Sequence, residues 1–176
     1  MRKLLTIILA SLLPVFCAFA QDRIGVLDRV PGHRVTFEYA YSLIQDGTEG
    51  DTVTSGQVTV QGNAFRLDGL GMEIWSDGTA RWTVDRQAKE VLIEPVEGSD
   101  PLTNPALFVL NYRSWPGMLK VRSQSDSALD VEVHLDDGMV AHLRLKDIVF
   151  GEEGALSDFV FHPEDLGSGC VVTDLR

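Results

Sequence analysis

Apolar and polar residues alternate along most of the chain. Phe37, Tyr39 and Tyr41 are separated by polar or small residues, and a similar alternation recurs at residues 57–61 and 64–68. A period of two is typical of a β-strand that packs one face against a core. Short turn sequences such as "QGN" and "SDG" separate these segments, and turns of this length join antiparallel neighbours. The first half of the chain therefore predicts a meander of about six antiparallel strands.

The second half begins with a Pro-rich break, "EGSDPLTNP", and then changes character. Asn104 is a good helix cap, Pro105 suits the first helical position, and the apolar residues that follow predict a short helix. Alternation predicts further strands at residues 118–123, 129–135, 139–150 and 159–162.

We predict a single domain, residues 21–176, of the α+β class that is mainly β. Ile24, Leu27 and Val30 are spaced like one side of a short helix, which adds a second helical segment. An antiparallel sheet of about ten strands curls into an incomplete, half-closed barrel. Its concave surface must be filled by side chains, covered by a helix or occupied by a ligand.

The inward-facing set of this sheet has two interpretations. It is either a packed core or the wall of an apolar cavity whose lid is the short helix, with Leu107, Phe108 and Leu110. The predicted set is Phe37, Tyr39, Tyr41, Val58, Val60, Phe65, Leu67, Ile74, Trp82 and Val84.

Trp75 and Trp82 lie close to the "SDG" turn, one before it and one after. In one straight strand they would point to opposite faces, so the hairpin geometry decides whether they share one. Exposed on a flat face, the two rings could stack on sugars. We predict that Trp82 joins Val84 in the cavity wall, and we leave open whether Trp75 faces inward or outward.

The N-terminus predicts export. Two basic residues, an apolar run at residues 4–16 and the small-x-small sequence ending at Ala20 are typical of a secretory signal peptide, residues 1–20. The apolar run is shorter than the ~20 residues of a membrane span. We therefore predict a soluble monomer in the periplasm, cleaved after Ala20. Cys170 is then the one cysteine that remains, so no internal disulfide is expected.

Charge narrows the choice of partners. The full chain carries a formal net charge of −11, and cleavage removes two of its 15 basic residues while all 26 acidic ones stay, which gives −13. A chain this acidic is repelled by nucleic acid and by anionic membrane surfaces. We therefore expect no nucleic-acid partner.

Catalytic and metal-binding patterns are weak. The four histidines form no helical pair with an acid, and the chain has no Cys-x-x-Cys. "GSGC" at residues 167–170 does not spell a nucleophile elbow, and "DGTEGD" departs from the calcium-loop pattern. A general base at His134 and a pair of Cys170 with His162 are weaker alternatives to structural roles. We expect no enzyme, no cofactor and no metal.

The run "GNAFRLDGLGMEIWSDGTARWTVDRQAKEVLIEPV" resembles the LolA family of periplasmic outer-membrane lipoprotein carriers. Later features agree with that family: the apolar helix at residues 105–110, the ending "SDFVFHPEDLGSGCVVTDLR" and its closing Asp-Leu-Arg. The similarity covers most of the mature chain, and it depends on the order of short motifs. Those in the first run are Phe65, Ser76-Asp77-Gly78, Trp82, Asp85 and residues 91–93.

The resemblance implies a hydrophobic cavity, closed by a helical lid, that carries the acyl chains of lipoproteins or related lipids toward the outer membrane. It also implies an inner-membrane lipoprotein-release transporter as a partner. Phe65 and Trp82 would then be wall residues. Two features differ: Gln61 stands where the family has an arginine that latches the lid, and the N-terminal helix is shortened to residues 22–30.

A second hypothesis uses the same scaffold without a cavity. A periplasmic or surface interaction module with a filled core would bind carbohydrate or protein through exposed aromatic rings such as Trp75 or Trp115.

Overall fold

The computed structural model describes residues 23–69, 71–96, 104–115, 117–135 and 138–176. The predicted signal peptide, most of the Pro-rich break and part of the "DDG" hairpin lie outside these ranges. Within them the secondary structure is dominated by strands, with one α-helix, α1 (Pro105–Asn111), and four short 3-10 helices.

Ten strands form a single sheet in the order β10-β6-β5-β4-β3-β2-β1-β9-β8-β7. The β10–β6 pair is parallel, and the other neighbouring pairs are antiparallel. The strands are β1 (Arg34–Gln45), β2 (Thr48–Gln61), β3 (Ala64–Gly69), β4 (Met72–Ser76), β5 (Ala80–Asp85), β6 (Glu90–Pro95), β7 (Leu119–Gln124), β8 (Leu129–His134), β9 (Val140–Gly151) and β10 (Val171–Asp174).

The prediction of a mainly β fold with about ten strands is confirmed, and the sheet is open, with β10 and β7 at its two edges. The prediction of a strand at residues 159–162 is wrong. Two 3-10 helices, Leu156–Phe159 and Pro163–Leu166, flank this segment. Its alternating aromatic residues pack over the sheet instead of pairing with a neighbouring strand.

The local signals for the helix and the "SDG" turn are confirmed. Asn104 Oδ1 accepts hydrogen bonds from the backbone N–H groups of Ala106 at 2.9 Å and Leu107 at 3.4 Å, which caps α1. In the turn, Asp77 Oδ1 accepts from the N–H groups of Thr79 and Ala80, each at 2.8 Å. The predicted N-terminal helix is only a single 3-10 turn, Leu27–Arg29, in the described part of residues 22–30, although Ile24, Leu27 and Val30 are buried in the core.

The register of the central hairpins sets which residues share a face. Across β4 and β5, Trp75 stands opposite Trp82, and across β3 and β4, Phe65 stands opposite Ser76. Directly opposed residues point to the same face of a sheet, and neighbours along a strand point to opposite faces. The two tryptophans therefore share a face, and Phe65 lies on the other.

One face, which we call the helix face, carries Phe37 and Phe65 and is covered by α1 and the Leu27–Arg29 segment. Phe37, Phe65 and Phe108 are at most 2% exposed, so the space between helix and sheet is filled by side chains. Other buried members of this core are Ile24, Val35, Tyr39, Val58, Val60, Leu67, Ala106, Val109, Leu129, Val131, Val133, Leu143 and Leu145.

The opposite face, which we call the strap face, carries Trp75 and Trp82 and has its own core. A segment that we call the strap, residues 152–170, leaves β9, crosses this face and leads into β10 beside β6. The second core comprises Ala80, Trp82, Val84, Val91, Ile93 and Phe161, with Trp75, Val160, Leu166 and Cys170 packed against it.

The prediction of one inward set that includes Trp82 and Val84 is therefore wrong. Both residues point away from α1 and belong to the core under the strap. Alternation assigns faces within one strand, whereas the turns between strands decide how the faces of different strands correspond. The helix-face members of the set are Phe37, Tyr39, Tyr41, Val58, Val60, Phe65, Leu67 and Ile74.

Close backbone contact at Gly56 leads to a first prediction. An alanine Cβ there would lie 1.8 Å from the carbonyl oxygen of Asp68 on β3, so the two strands would have to move apart. We expect Gly56→Ala to lower the free energy of unfolding by about 1–3 kcal/mol, as overpacking does. Urea denaturation measures it.

Gly151→Ala on β9 is the matched control, because its Cβ would lie at an ordinary 3.6 Å from the carbonyl oxygen of Arg34. Equal stability of the two variants would contradict the close approach of β2 and β3.

Candidate functional site

A small apolar groove lies at the margin of the helix face. Its volume is about 270 Å³, and it runs between α1, the Leu27–Arg29 segment and the turn that joins β2 to β3. The residues that line it are Leu27, Val30, Pro31, Gly62, Asn63, Val109, Leu110, Tyr112 and Arg113.

Local structure positions the walls of this groove. Backbone hydrogen bonds from the N–H groups of Leu27 and Asp28 to the carbonyl of Ile24 form a tight turn that directs Leu27 toward α1. The turn between β2 and β3 contains Gly62 with φ +56°, a conformation that favours glycine. Buried Val109 and half-buried Leu110 supply the side formed by α1.

A hydrogen-bonded triad, which we call the clamp, joins the two helical elements beside the groove. The Tyr112 hydroxyl and the Arg113 guanidinium both donate to Asp28 Oδ1. Arg113 Nε also donates to the Tyr112 hydroxyl oxygen at 3.0 Å. The clamp fixes the end of α1 to the N-terminal segment across 84 to 85 positions of sequence.

The clamp also shifts the acidity of its members. The hydrogen bond from Tyr112, followed by that from Arg113, lowers the pKa of Asp28. Burial, and then the neighbouring Asp28, raises the pKa of the Tyr112 hydroxyl. The hydrogen bond to Asp28 raises the pKa of Arg113. Asp28 is therefore held as a carboxylate and Tyr112 as a neutral donor.

The predicted wall residues do not line this groove. Phe65 lies fully buried in the helix-face core, and Tyr41 and Ile74 pack at its border. Of the predicted lid residues, Leu110 lines the groove, Phe108 is buried with its ring 5.9 Å from that of Trp115, and Leu107 is half-buried.

Several groove residues were missed as site residues. The spacing of Leu27 and Val30 indicates a helical side but gives no sign of a ligand site. No sequence signal connects Arg113 to Asp28, because the contact forms only when α1 and the N-terminal segment meet.

Gln61 has a role different from a lid latch. It lies on the strap face, away from α1, and is 4% exposed. Its Oε1 accepts hydrogen bonds from Arg34 Nε at 2.9 Å and from the N–H of Gly154 at 3.0 Å, and its Nε2 donates to the carbonyl of Gly154 at 2.8 Å. Gln61 therefore fastens the start of the strap to the sheet.

The two tryptophans do not form an exposed platform. Trp82 is 6% exposed. Trp75 is half-buried, with its ring 5.7 Å from that of Phe161 and the Arg66 guanidinium 4.2 Å from its centroid. Its Nε1 donates to Glu73 at 3.0 Å. These contacts occupy the surfaces that a sugar would need.

A polar cleft of about 490 Å³ lies at the far end of the sheet, beside the tip of the β1–β2 hairpin. His142, which is 2% exposed, lies next to it with Nε2 2.6 Å from Asp130 Oδ1. Its Nδ1 lies 3.0 Å from Glu49 Oε1, a close contact without hydrogen-bond geometry. The hydrogen bond from Ser42, followed by the contact with His142, lowers the pKa of Glu49.

This arrangement is a cross-link between strands. Both imidazole nitrogens of His142 face carboxylates, so neither is open to a substrate. His134, the weaker catalytic candidate, is half-exposed and lies 3.5 Å from Glu132, itself held by Lys120 at 2.9 Å. In the described ranges, no three His, Cys, Asp or Glu side chains form a group suited to a metal ion.

The similarity of this chain to known proteins is low. No family model and no curated protein matches the chain. A solved structure described as an uncharacterized conserved protein from Thermus thermophilus is 12% identical, with a TM-score of 0.46, and the alignment covers 85% of this chain and 96% of that one. At this level the similarity supports no conclusion about function. Among the described helices, none has the length and hydropathy needed to cross a bilayer.

The fastening by Gln61 leads to a second prediction. Gln61→Ala removes three hydrogen bonds between β2, Arg34 and the strap, so we expect a loss of about 1–3 kcal/mol and faster hydrogen exchange in residues 152–158. Gln57→Ala, at an exposed site on the same strand, is the control. Unchanged exchange in the strap would show that its own packing holds it.

Glu73 leads to a third prediction, on pH. The hydrogen bond from Arg86, followed by that from Trp75, lowers the pKa of this buried carboxyl below its usual 4.5. A lowered folded-state pKa contributes stability that is complete above the unfolded pKa and is lost as pH falls through the folded one.

We therefore expect Glu73→Gln to cost about 1–2 kcal/mol at neutral pH. The difference from wild type should shrink as pH falls below 4.5. Urea denaturation at a series of pH values measures this difference in stability. Glu90→Gln, at an exposed position of β6, is the matched control. A difference that stays constant with pH would rule out a role for the ionised carboxylate.

Proposed function

We propose that this protein is a non-catalytic periplasmic carrier that binds an acyl chain of a lipid or lipoprotein. The observation that carries the proposal is the apolar groove between α1 and the Leu27–Arg29 segment, the part of the helix face that side chains leave unfilled. The resemblance to the LolA carriers supports the same ligand class and transfer toward the outer membrane. A signal peptide ending at Ala20 and an inner-membrane donor are part of the proposal.

The size of the groove suits part of a single chain. Its volume of about 270 Å³ lies just below the range of about 300–1,000 Å³ of small-molecule pockets. Each methylene buried there contributes about 0.8 kcal/mol, so six to eight of them supply about 5–6 kcal/mol before the costs of association. This driving force requires no chemistry, and a shallow site permits release.

A longer chain requires α1 to move as a lid. Phe65 belongs to the same core as three residues of α1, namely Ala106, Phe108 and Val109. If α1 lifts, these apolar surfaces become the wall of a larger cavity. The helix is short, with seven residues, so its movement would break the packing of its four buried residues and the clamp to Asp28.

The second candidate is an interaction module with a filled core. It is favoured by the burial of Phe37, Phe65 and Phe108, each at most 2% exposed, whose side chains fill the space between α1 and the sheet. Native mass spectrometry of the exported protein separates the two candidates. A carrier retains lipid, whereas a module with a filled core appears at the mass of the protein alone.

The groove leads to a fourth prediction. Leu110 lines the groove, so Leu110→Gln should weaken binding of a twelve-carbon acyl probe by about tenfold. Leu107→Gln is the control, because Leu107 is also half-buried on α1 but lies outside the groove lining. Displacement of a fluorescent hydrophobic dye measures both affinities. Equal losses of affinity in the two variants would show that the acyl chain binds outside the groove.

A further inference from the structure

The groove carries one formal charge among its lining residues. That charge is Arg113, and the other lining residues are apolar or neutral. The Arg113 side chain is 69% exposed, so its guanidinium lies at the open end of the groove. An apolar slot with one cation at its mouth matches a ligand with an apolar chain and an anionic head.

Two cations lie near the mouth of the groove, although the protein as a whole is acidic. The full chain has a formal charge of −11, which repels anions at long range. Beside the groove, however, Arg113 and Arg23 both favour the ionised form of Asp28 electrostatically. These two cations beside one carboxylate oppose the long-range repulsion at the mouth, where the anionic head group would bind.

The present partner of Arg113 can be exchanged. The Asp28–Arg113 pair lies at the surface, and exposed ion pairs contribute little net stability, since water and other anions compete with them. Asp28 accepts from Arg113 through one oxygen, and the carboxylate of a ligand offers the guanidinium an acceptor of the same kind.

We propose that the groove binds a single-chain anionic amphiphile with a carboxylate head, a fatty acid, whose head group replaces Asp28 as the partner of Arg113. This inference rests on the proposed function and narrows its ligand class. Its chain lies between Leu27 and Leu110, and its head group stays at the surface. Replacement of Asp28 removes one of the two hydrogen bonds that the clamp makes to it and leaves the one from Tyr112, so binding weakens the attachment of the element proposed as the lid.

The test compares three ligands with the same twelve-carbon chain on the mature protein, below the concentration of micelle formation. They are dodecanoic acid, dodecan-1-ol and lysophosphatidic acid with a dodecanoyl chain. Isothermal titration calorimetry at neutral pH measures each affinity. We expect the acid to bind about tenfold more tightly than the alcohol, because a charge-assisted hydrogen bond forms only with the acid.

Substitutions test which residues cause the preference for the acid over the alcohol. Arg113→Gln should reduce the affinity for the acid to that of the same variant for the alcohol, whereas Arg113→Lys should restore part of the difference. Asp28→Asn should raise the affinity for the acid several-fold, since the competing carboxylate is gone. Arg29→Gln is the control, because Arg29 pairs with Asp126 and does not line the groove. Circular dichroism shows that each variant is folded.

The outcomes are distinct. Equal binding of acid and alcohol, unchanged by Arg113→Gln, would overturn the anionic head group while leaving the acyl site intact. Tighter binding of lysophosphatidic acid than of dodecanoic acid would overturn the choice of a carboxylate. Absence of binding by all three ligands would overturn the proposed function itself and this inference with it.

Discussion

An open ten-stranded sheet has two faces, and each face of this sheet is apolar in a different region. The constraint that both regions must be covered determines the rest of the structure. On the helix face, α1 and the Leu27–Arg29 segment bury Phe37 and Phe65. On the strap face, residues 152–170 bury Trp82 and its neighbours before the chain ends as β10 beside β6.

Buried polar side chains fix the position of the strap over the sheet. Gln61, buried on β2, bonds to Arg34 on the neighbouring β1 and to Gly154 at the start of the strap. Glu73 supports the other end of the same face, through Arg86 and the Trp75 indole. Buried groups of this kind contribute mainly by keeping each donor and acceptor satisfied, so that the apolar segments have one arrangement over the sheet.

The location of the groove depends on which elements cover each face of the sheet. The strap covers Trp82 on one face, and α1 covers the region around Phe65 on the other. Side chains fill that region, and unfilled space is left where α1, the N-terminal segment and the β2–β3 turn meet. The proposed carrier function requires movement of one of these elements, so that the site can bind a ligand and then release it. The clamp through Asp28 lies at the same junction.

Local signals in the sequence determined much of this fold. Alternation placed most of the strands, and the oxygen atoms of Asn104 and Asp77 form the cap and the turn that their positions predict. Only the tertiary structure decided which face each strand presents, because hairpin register puts Trp82 opposite Trp75 and away from Phe65. It alone also created the groove, since its walls come from segments more than 80 residues apart, and no local pattern encodes a contact over that distance.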